Sequence, residues 1–187
     1  MPGLKFRVLL DSDKNEEIFR DILIRDTDNF ESLFQAIVKA FNFKGDQMAS
    51  FYVSNDSWDK GHEISLMDMS YDDDSIDSLP GVMKNAVIKN FLEEPDQKFI
   101  LVYDFMKMWI FLVELIGFDR TEPEIPAVIL SVGNPPQESS REMMDDTLFS
   151  TQEDRLDELE DEDELGFNEF DDDYSEDDLT DYNEEFY

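Results

Sequence analysis

Lys98-Phe99-Ile100-Leu101-Val102-Tyr103-Asp104-Phe105-Met106-Lys107-Met108-Trp109-Ile110-Phe111-Leu112-Val113-Glu114-Leu115-Ile116-Gly117-Phe118 decides the fold class. Lys98 to Phe105 and Met108 to Phe118 are rich in aromatic and β-branched residues, which fit a pleated, half-buried surface. They read as two central strands, joined as a hairpin across Phe105-Met106-Lys107. A buried helix over 108–118 is the competing reading, and the β-rich neighbour tips the choice to strand.

Working outward from that pair, Leu4 to Leu10 alternates with a period of two. The cluster Asp11-Ser12-Asp13-Lys14-Asn15 reads as a turn, and Glu17 to Arg25 as a second strand, so the two predict a hairpin. Asp28-Asn29 offers a helix N-cap. Phe30, Leu33, Phe34, Ile37, Val38 and Phe41 follow at spacings of three and four, predicting an amphipathic helix that ends near Lys44-Gly45. Met48 to Ser54 and His62 to Met69 read as strands, and the acidic stretch Tyr71 to Ser78 as a loop. Leu79 to Leu92 has helical spacing at Val82, Met83, Ala86, Val87 and Phe91. Ala127 to Val132 reads as a last short strand, and Pro123, Pro126, Pro135 and Pro136 mark the exit from the domain. The expectation is an α+β domain over 1–136, a mainly antiparallel sheet with two or three helices. A disordered acidic tail over 137–187 is expected to follow.

Composition narrows the function classes. The 187 residues carry a formal net charge of -33. Residues 1–136 hold 13 basic and 25 acidic side chains, and residues 137–187 hold 2 and 23. Such a tail would repel phosphates, so direct nucleic-acid binding is not expected, and a basic protein surface is its natural complement. Cysteine is absent and there is one histidine, which excludes disulfides, thiolate metal sites and multi-histidine centres within one chain. Gly45 and Gly61 are isolated, so no phosphate loop is present, and no cofactor is expected. The N-terminus lacks the long apolar core of a signal peptide, and no apolar run approaches the roughly 18 residues of a spanning helix. No membrane association and a cytoplasmic location are the expectations.

Several segments together resemble one family. Ile18-Phe19-Arg20-Asp21-Ile22 resembles its Ile-Trp-Arg-Arg-Ile segment. Phe30-Glu31-Ser32-Leu33-Phe34-Gln35-Ala36-Ile37, with Ala40-Phe41-Asn42-Phe43, looks like its first helix, which usually ends Ala-Phe-Gly-Trp. Tyr103-Asp104-Phe105 with Trp109 resembles its Tyr-Asp-Phe-Gly-Asp-x-Trp motif, and Asn134-Pro135-Pro136-Gln137 its Cys-Pro-Pro-Glu exit. The family is the plasmid pRiA4b Orf-3-like family. The motif's Gly-Asp is Met106-Lys107 here, the polar position after the tryptophan is Phe111, and the exit glutamate is Gln137. The resemblance implies a fold, a bacterial cytoplasmic setting and a role as accessory to mobile elements, without a settled activity.

Asp104, between two aromatics in an apolar strand, is the one candidate general acid or base. The opposing reading gives it a turn bond, a partner in Lys107 or a place on the solvated face. Tyr103 and Trp109 would line the same pocket, and Trp58 is a further candidate binding aromatic. His62 and Glu63 are adjacent on a strand, hence on opposite faces, and do not cooperate. Asp72 to Asp77 lacks the glycine and terminal glutamate of a calcium loop, so no metal is expected.

The tail mixes acids with Phe167, Phe170, Tyr174, Tyr182, Phe186 and Tyr187. A purely solvating tail has no need of aromatics; among acids they can enter apolar pockets rimmed by Lys or Arg. The first expectation is therefore a non-enzymatic interaction protein whose tail binds a basic protein surface. Ribosomal and transcription machinery are the abundant basic candidates. An enzyme built around Asp104 is the alternative from another class.

Overall fold

Leu4, Phe6, Val8 and Leu10 point one way along the first strand and pack into the core, while Lys5, Arg7 and Leu9 stay half-exposed. The computed structural model describes residues 3–14, 16–68 and 80–143. The chain divides into two units, Met1–Met144 and Asp145–Tyr187, and the second lies outside the described residues.

The strands are β1 (Gly3–Leu10), β2 (Phe19–Arg25), β3 (Ala49–Ser54), β4 (Glu63–Ser65), β5 (Lys98–Tyr103), β6 (Trp109–Asp119) and β7 (Ala127–Val132). They form one sheet in the order β4-β3-β5-β6-β1-β2-β7, every pair antiparallel. The expected hairpins are present: β1 pairs β2 from Gly3↔Arg25 to Leu9↔Phe19, and β5 pairs β6 from Lys98↔Glu114 to Tyr103↔Trp109. Residues 108–118, apart from Met108, thus lie in a strand and not in a buried helix.

The helix α1 (Phe30–Ala40) begins at Asn29, whose side chain accepts from Ser32 N–H. It buries Phe30, Leu33, Phe34, Ile37 and Val38. Phe30 is the centre of this packing, with its ring 5.1–5.2 Å from those of Phe51, Phe91 and Phe99 in edge-to-face contacts. The helix stops earlier than Lys44-Gly45. Asn42 turns left-handed at φ 58, Phe43 N–H donates to Val38 O, and Asn42 N–H to Lys39 O, so the last carbonyls are closed by a Schellman turn. The family's usual glycine falls at this position. Asn is the side chain that tolerates the left-handed region best after glycine, which explains the departure.

The expected helix over 79–92 does not form. Leu79 lies outside the described residues, and from Pro80 the chain is irregular apart from one 3-10 turn, Ile88–Phe91. Val82 bridges Ser65 and Val87 bridges Asn29. These bridges take backbone groups that a helix would pair internally. Of the five residues at helical spacing, Met83, Ala86 and Phe91 reach the core and Val82 and Val87 are half-buried, while Ile88, outside that pattern, is buried as well. Among the described residues α1 is the one α-helix, in place of the expected two or three. β4 is also shorter than the strand expected over 62–69. No helix among the described residues is long and apolar enough to cross a membrane.

Arg20 ties three elements together. Its buried guanidinium donates to four carbonyls: Ala40 at the end of α1, Phe19, and Val132 and Gly133 at the end of β7. A cation at a helix C-terminus suits the macrodipole. Burial lowers the Arg20 pKa from its ordinary value.

Candidate functional site

The β5–β6 hairpin sets one end of the sheet. Tyr103 and Trp109 are cross-strand partners, and both rings pack on Phe43, at 5.9 and 5.0 Å. The loop between them is five residues, Asp104 to Met108, longer than the expected turn across 105–107. Asp104 and Met108 are left-handed, at φ 57 and 54, whereas Met106 is not. The motif's glycine position therefore accepts Met106 without backbone strain. The two left-handed residues of this loop, with Asn42 and Gly45 opposite, concentrate unusual backbone at this end.

Asp104 sits in this loop and not in the strand. Its carboxylate accepts from Met106 N–H at 3.1 Å and Lys107 N–H at 3.2 Å. Both bonds fall on Oδ1, which holds the turn. A cleft of about 510 Å³ lies beside it, lined among others by Lys44, Asp46, Asp104, Lys107 and Glu138.

A segment absent from the sequence-based site completes the arrangement. After Pro135-Pro136 the chain returns to the sheet end as a 3-10 turn, Glu138–Ser140. Glu138 accepts from the Tyr103 hydroxyl at 2.7 Å and from Lys44 N–H at 2.8 Å. Burial pushes the Tyr103 phenol above its ordinary pKa, and the bond to Glu138 adds to the rise. Arg141, three residues on, lays its guanidinium 4.7 Å from the Trp109 ring and donates to Met108 O. The motif is thus strapped by its own chain at both aromatics. The expected boundary at 136, set by the prolines, cuts this strap off, because Glu138 and Arg141 bond back to the domain. The spacing of Glu138 and Arg141 on one side of a turn is the only sequence signal for it.

The other predicted residues separate. Trp58 is half-exposed in the β3–β4 connection with Lys98 Nζ 6.0 Å from its ring. Ser54 pairs with Lys98 and Ala49 with Tyr103, so Trp58 belongs to the opposite end of β5 from the motif. His62 stacks on Phe91, with Nε2 3.3 Å from Pro80 O, and Glu63 accepts from Ser50 and Tyr52, so the pair does not cooperate. Asp72 to Asp77, and Phe167, Phe170, Tyr174, Tyr182, Phe186 and Tyr187, lie outside the described residues. Among the described residues no group of three metal-ligating side chains is gathered.

A second surface is defined by the far edge of the sheet. The groove between α1 and the start of β7, about 590 Å³, is lined by Asn29, Glu31, Ser32, Gln35, Ala36, Lys39, Ile125 and Pro126.

Comparison with known proteins gives a fold and a family. A crystal structure of a protein of unknown function from Methanosarcina mazei Go1 superposes with a TM-score of 0.60 at 19% identity, covering 85% of this chain and 82% of that one. At that identity the likeness concerns the fold. No curated protein matches the chain. The family model described as plasmid pRiA4b ORF-3-like protein matches residues 2–179, a span that takes in the Tyr103–Trp109 hairpin, the strap and most of the acidic segment. The chain belongs to the plasmid pRiA4b ORF-3-like family.

Proposed function

We propose that this protein is a non-enzymatic interaction protein whose acidic, aromatic-bearing segment over 137–187 engages a basic protein surface. The observation that carries the non-enzymatic half is the state of the motif. Asp104 holds its own turn and Tyr103 is bound by Glu138, so neither is poised to exchange a proton with a substrate. Charge supports the other half. A segment with 23 acidic and 2 basic residues steers basic partners over long range, and its six aromatics named above supply the apolar contacts that charge alone lacks.

The test is affinity capture from native cytosol at low and moderate salt. Full-length protein is compared with a chain ended after Met144, which keeps Glu138 and Arg141 on the domain. A partner held by the full chain, lost with salt and absent from the shorter chain is the expected result. Equal capture by both chains removes the acidic segment from recognition.

The cleft beside Asp104 favours a second reading, an enzyme acting through that carboxylate, because Lys44 and Lys107 line the same space. Asp104→Asn retains the acceptor oxygen for the turn. An activity abolished by that substitution with an unchanged fold would establish this reading and sink the first.

A further inference from the structure

The sheet has two edges, and only one is closed among the described residues. At β4 the chain covers itself: Ser65 N–H donates to Gly81 O and Met83 N–H to Ser65 O. At β7 no described residue pairs with the outer side. The strand Ala127-Val128-Ile129-Leu130-Ser131-Val132 carries no charge and no proline, the usual guards of an open edge. Val128, Ile129 and Leu130 are 43%, 49% and 44% exposed, and Ile125 just before them is 72% exposed.

Two features suit this edge to a guest strand. The first is register. Val128 stands opposite Ile22, on the α1 side of the sheet, and Leu130 opposite Asp21, on the other side, with Ile129 at the irregularity between them. A strand added here meets an apolar side chain on each face. The second is the α1 groove described above. Ser32, Gln35, Ala36 and Lys39 form one stripe along the helix, and Ile125 and Pro126, just before β7, wall the groove on the other side, at the start of the edge. An edge strand facing a helix across a slot is the geometry in which extended peptides add to sheets, with main-chain bonds giving affinity and the slot taking alternate side chains.

Charge selects the occupant. The groove itself sets one anion, Glu31, against one cation, Lys39; the exposed Glu124 precedes Ile125, and the whole chain stands at -33. A second copy would bring the same excess charge, whereas a basic segment is drawn in.

We infer that the β7 edge, with the α1 groove, binds an extended peptide of alternating apolar and basic residues by strand addition. This rests on the interaction-protein reading and names a second recognition surface for it. The test uses isotope-labelled full-length protein and a ten-residue peptide alternating valine and lysine. The control is the same peptide with alternate backbone nitrogens methylated along one edge, which keeps charge and side chains but removes ladder donors. The expected result is amide shift changes concentrated at 125–132 and 32–39, with methylation weakening binding by about tenfold. Equal binding of both peptides overturns the inference, as does binding of neither. Changes confined to 145–187 overturn it too, while leaving the interaction-protein reading intact. A salt-strengthened dimer of the protein alone, with β7 amides protected, overturns it in favour of a second copy.

Discussion

β5 and β7 are the same length and nearly the same in character, Lys98-Phe-Ile-Leu-Val-Tyr103 against Ala127-Val-Ile-Leu-Ser-Val132, yet five of the six β5 residues are buried and five of the six in β7 are exposed. Composition does not distinguish them; neighbours do. β5 lies between β3 and β6, under α1 and the 80–92 segment, while among the described residues β7 has β2 on one side only. An apolar strand is therefore evidence of a sheet, and its rank within the sheet is set by pairings distant in sequence.

The largest way to break the contrast is to empty the covered side. Phe30→Ala removes the ring on which Phe51, Phe91 and Phe99 converge, and is expected to cost about 3–5 kcal/mol in urea denaturation. A loss below about 1 kcal/mol would mean that the core repacks around the gap.

Next is the tie that positions the open side. Arg20→Met strips the donors from three carbonyls at the ends of α1 and β7, and from Phe19 O in β2, and is expected to cost about 2–3 kcal/mol. Faster hydrogen exchange at 127–132 than at 98–103 should accompany it.

Glu138→Ala leaves the Tyr103 hydroxyl and Lys44 N–H without their acceptor, for an expected loss of about 1–3 kcal/mol. The strap should also loosen, read as increased exposure of Trp109 to a fluorescence quencher. An unchanged Trp109 signal would show that Arg141 holds the strap alone.

The raised Tyr103 pKa gives a related alkaline effect. A group whose folded pKa is raised contributes its stability fully below the unfolded value, about 10 for tyrosine, and loses it as the pH climbs above that value. Unfolding midpoints should fall as the pH rises above about 10 in the natural protein and fall less in Tyr103→Phe. Parallel losses in the two would assign the alkaline effect to other groups.

The smallest stability effect belongs to the open edge. Leu130→Lys places a cation on an exposed position beside Asp21 and is expected to change stability by no more than about 0.5 kcal/mol. Its consequence should be seen in peptide binding. A large destabilisation would show that Leu130 is covered and that the contrast between the two strands is false.

Much of the framework was legible locally. The period of two in β1, the Asn29 cap with the spaced apolar residues of α1, and the β-rich pair around Tyr103–Trp109 each depend on neighbours a few residues away. The segment 80–92 departs from the helix its spacing predicts because burial at helical spacing does not require a helix when β-bridges claim the backbone. Of the candidate residues, Tyr103 and Trp109 stand as cross-strand partners but do not line the cleft beside Asp104, and Asp104, expected within the strand, begins the loop just after it. Glu138 and Arg141 were missed because a strap that returns across a double proline leaves no periodicity.

The sequence by itself determined the class of sheet, the capped helix and the concentration of acidic charge beyond residue 136, since propensity, periodicity and net charge are sums over local residues. Tertiary structure alone decided that Arg20 would gather four carbonyls, that Asp104 would serve its own turn, and that β7 would be an open edge among the described residues. Each of these depends on which distant backbone groups arrive at a position, and a hydrogen bond or a strand pairing is specified only when both of its partners are in place.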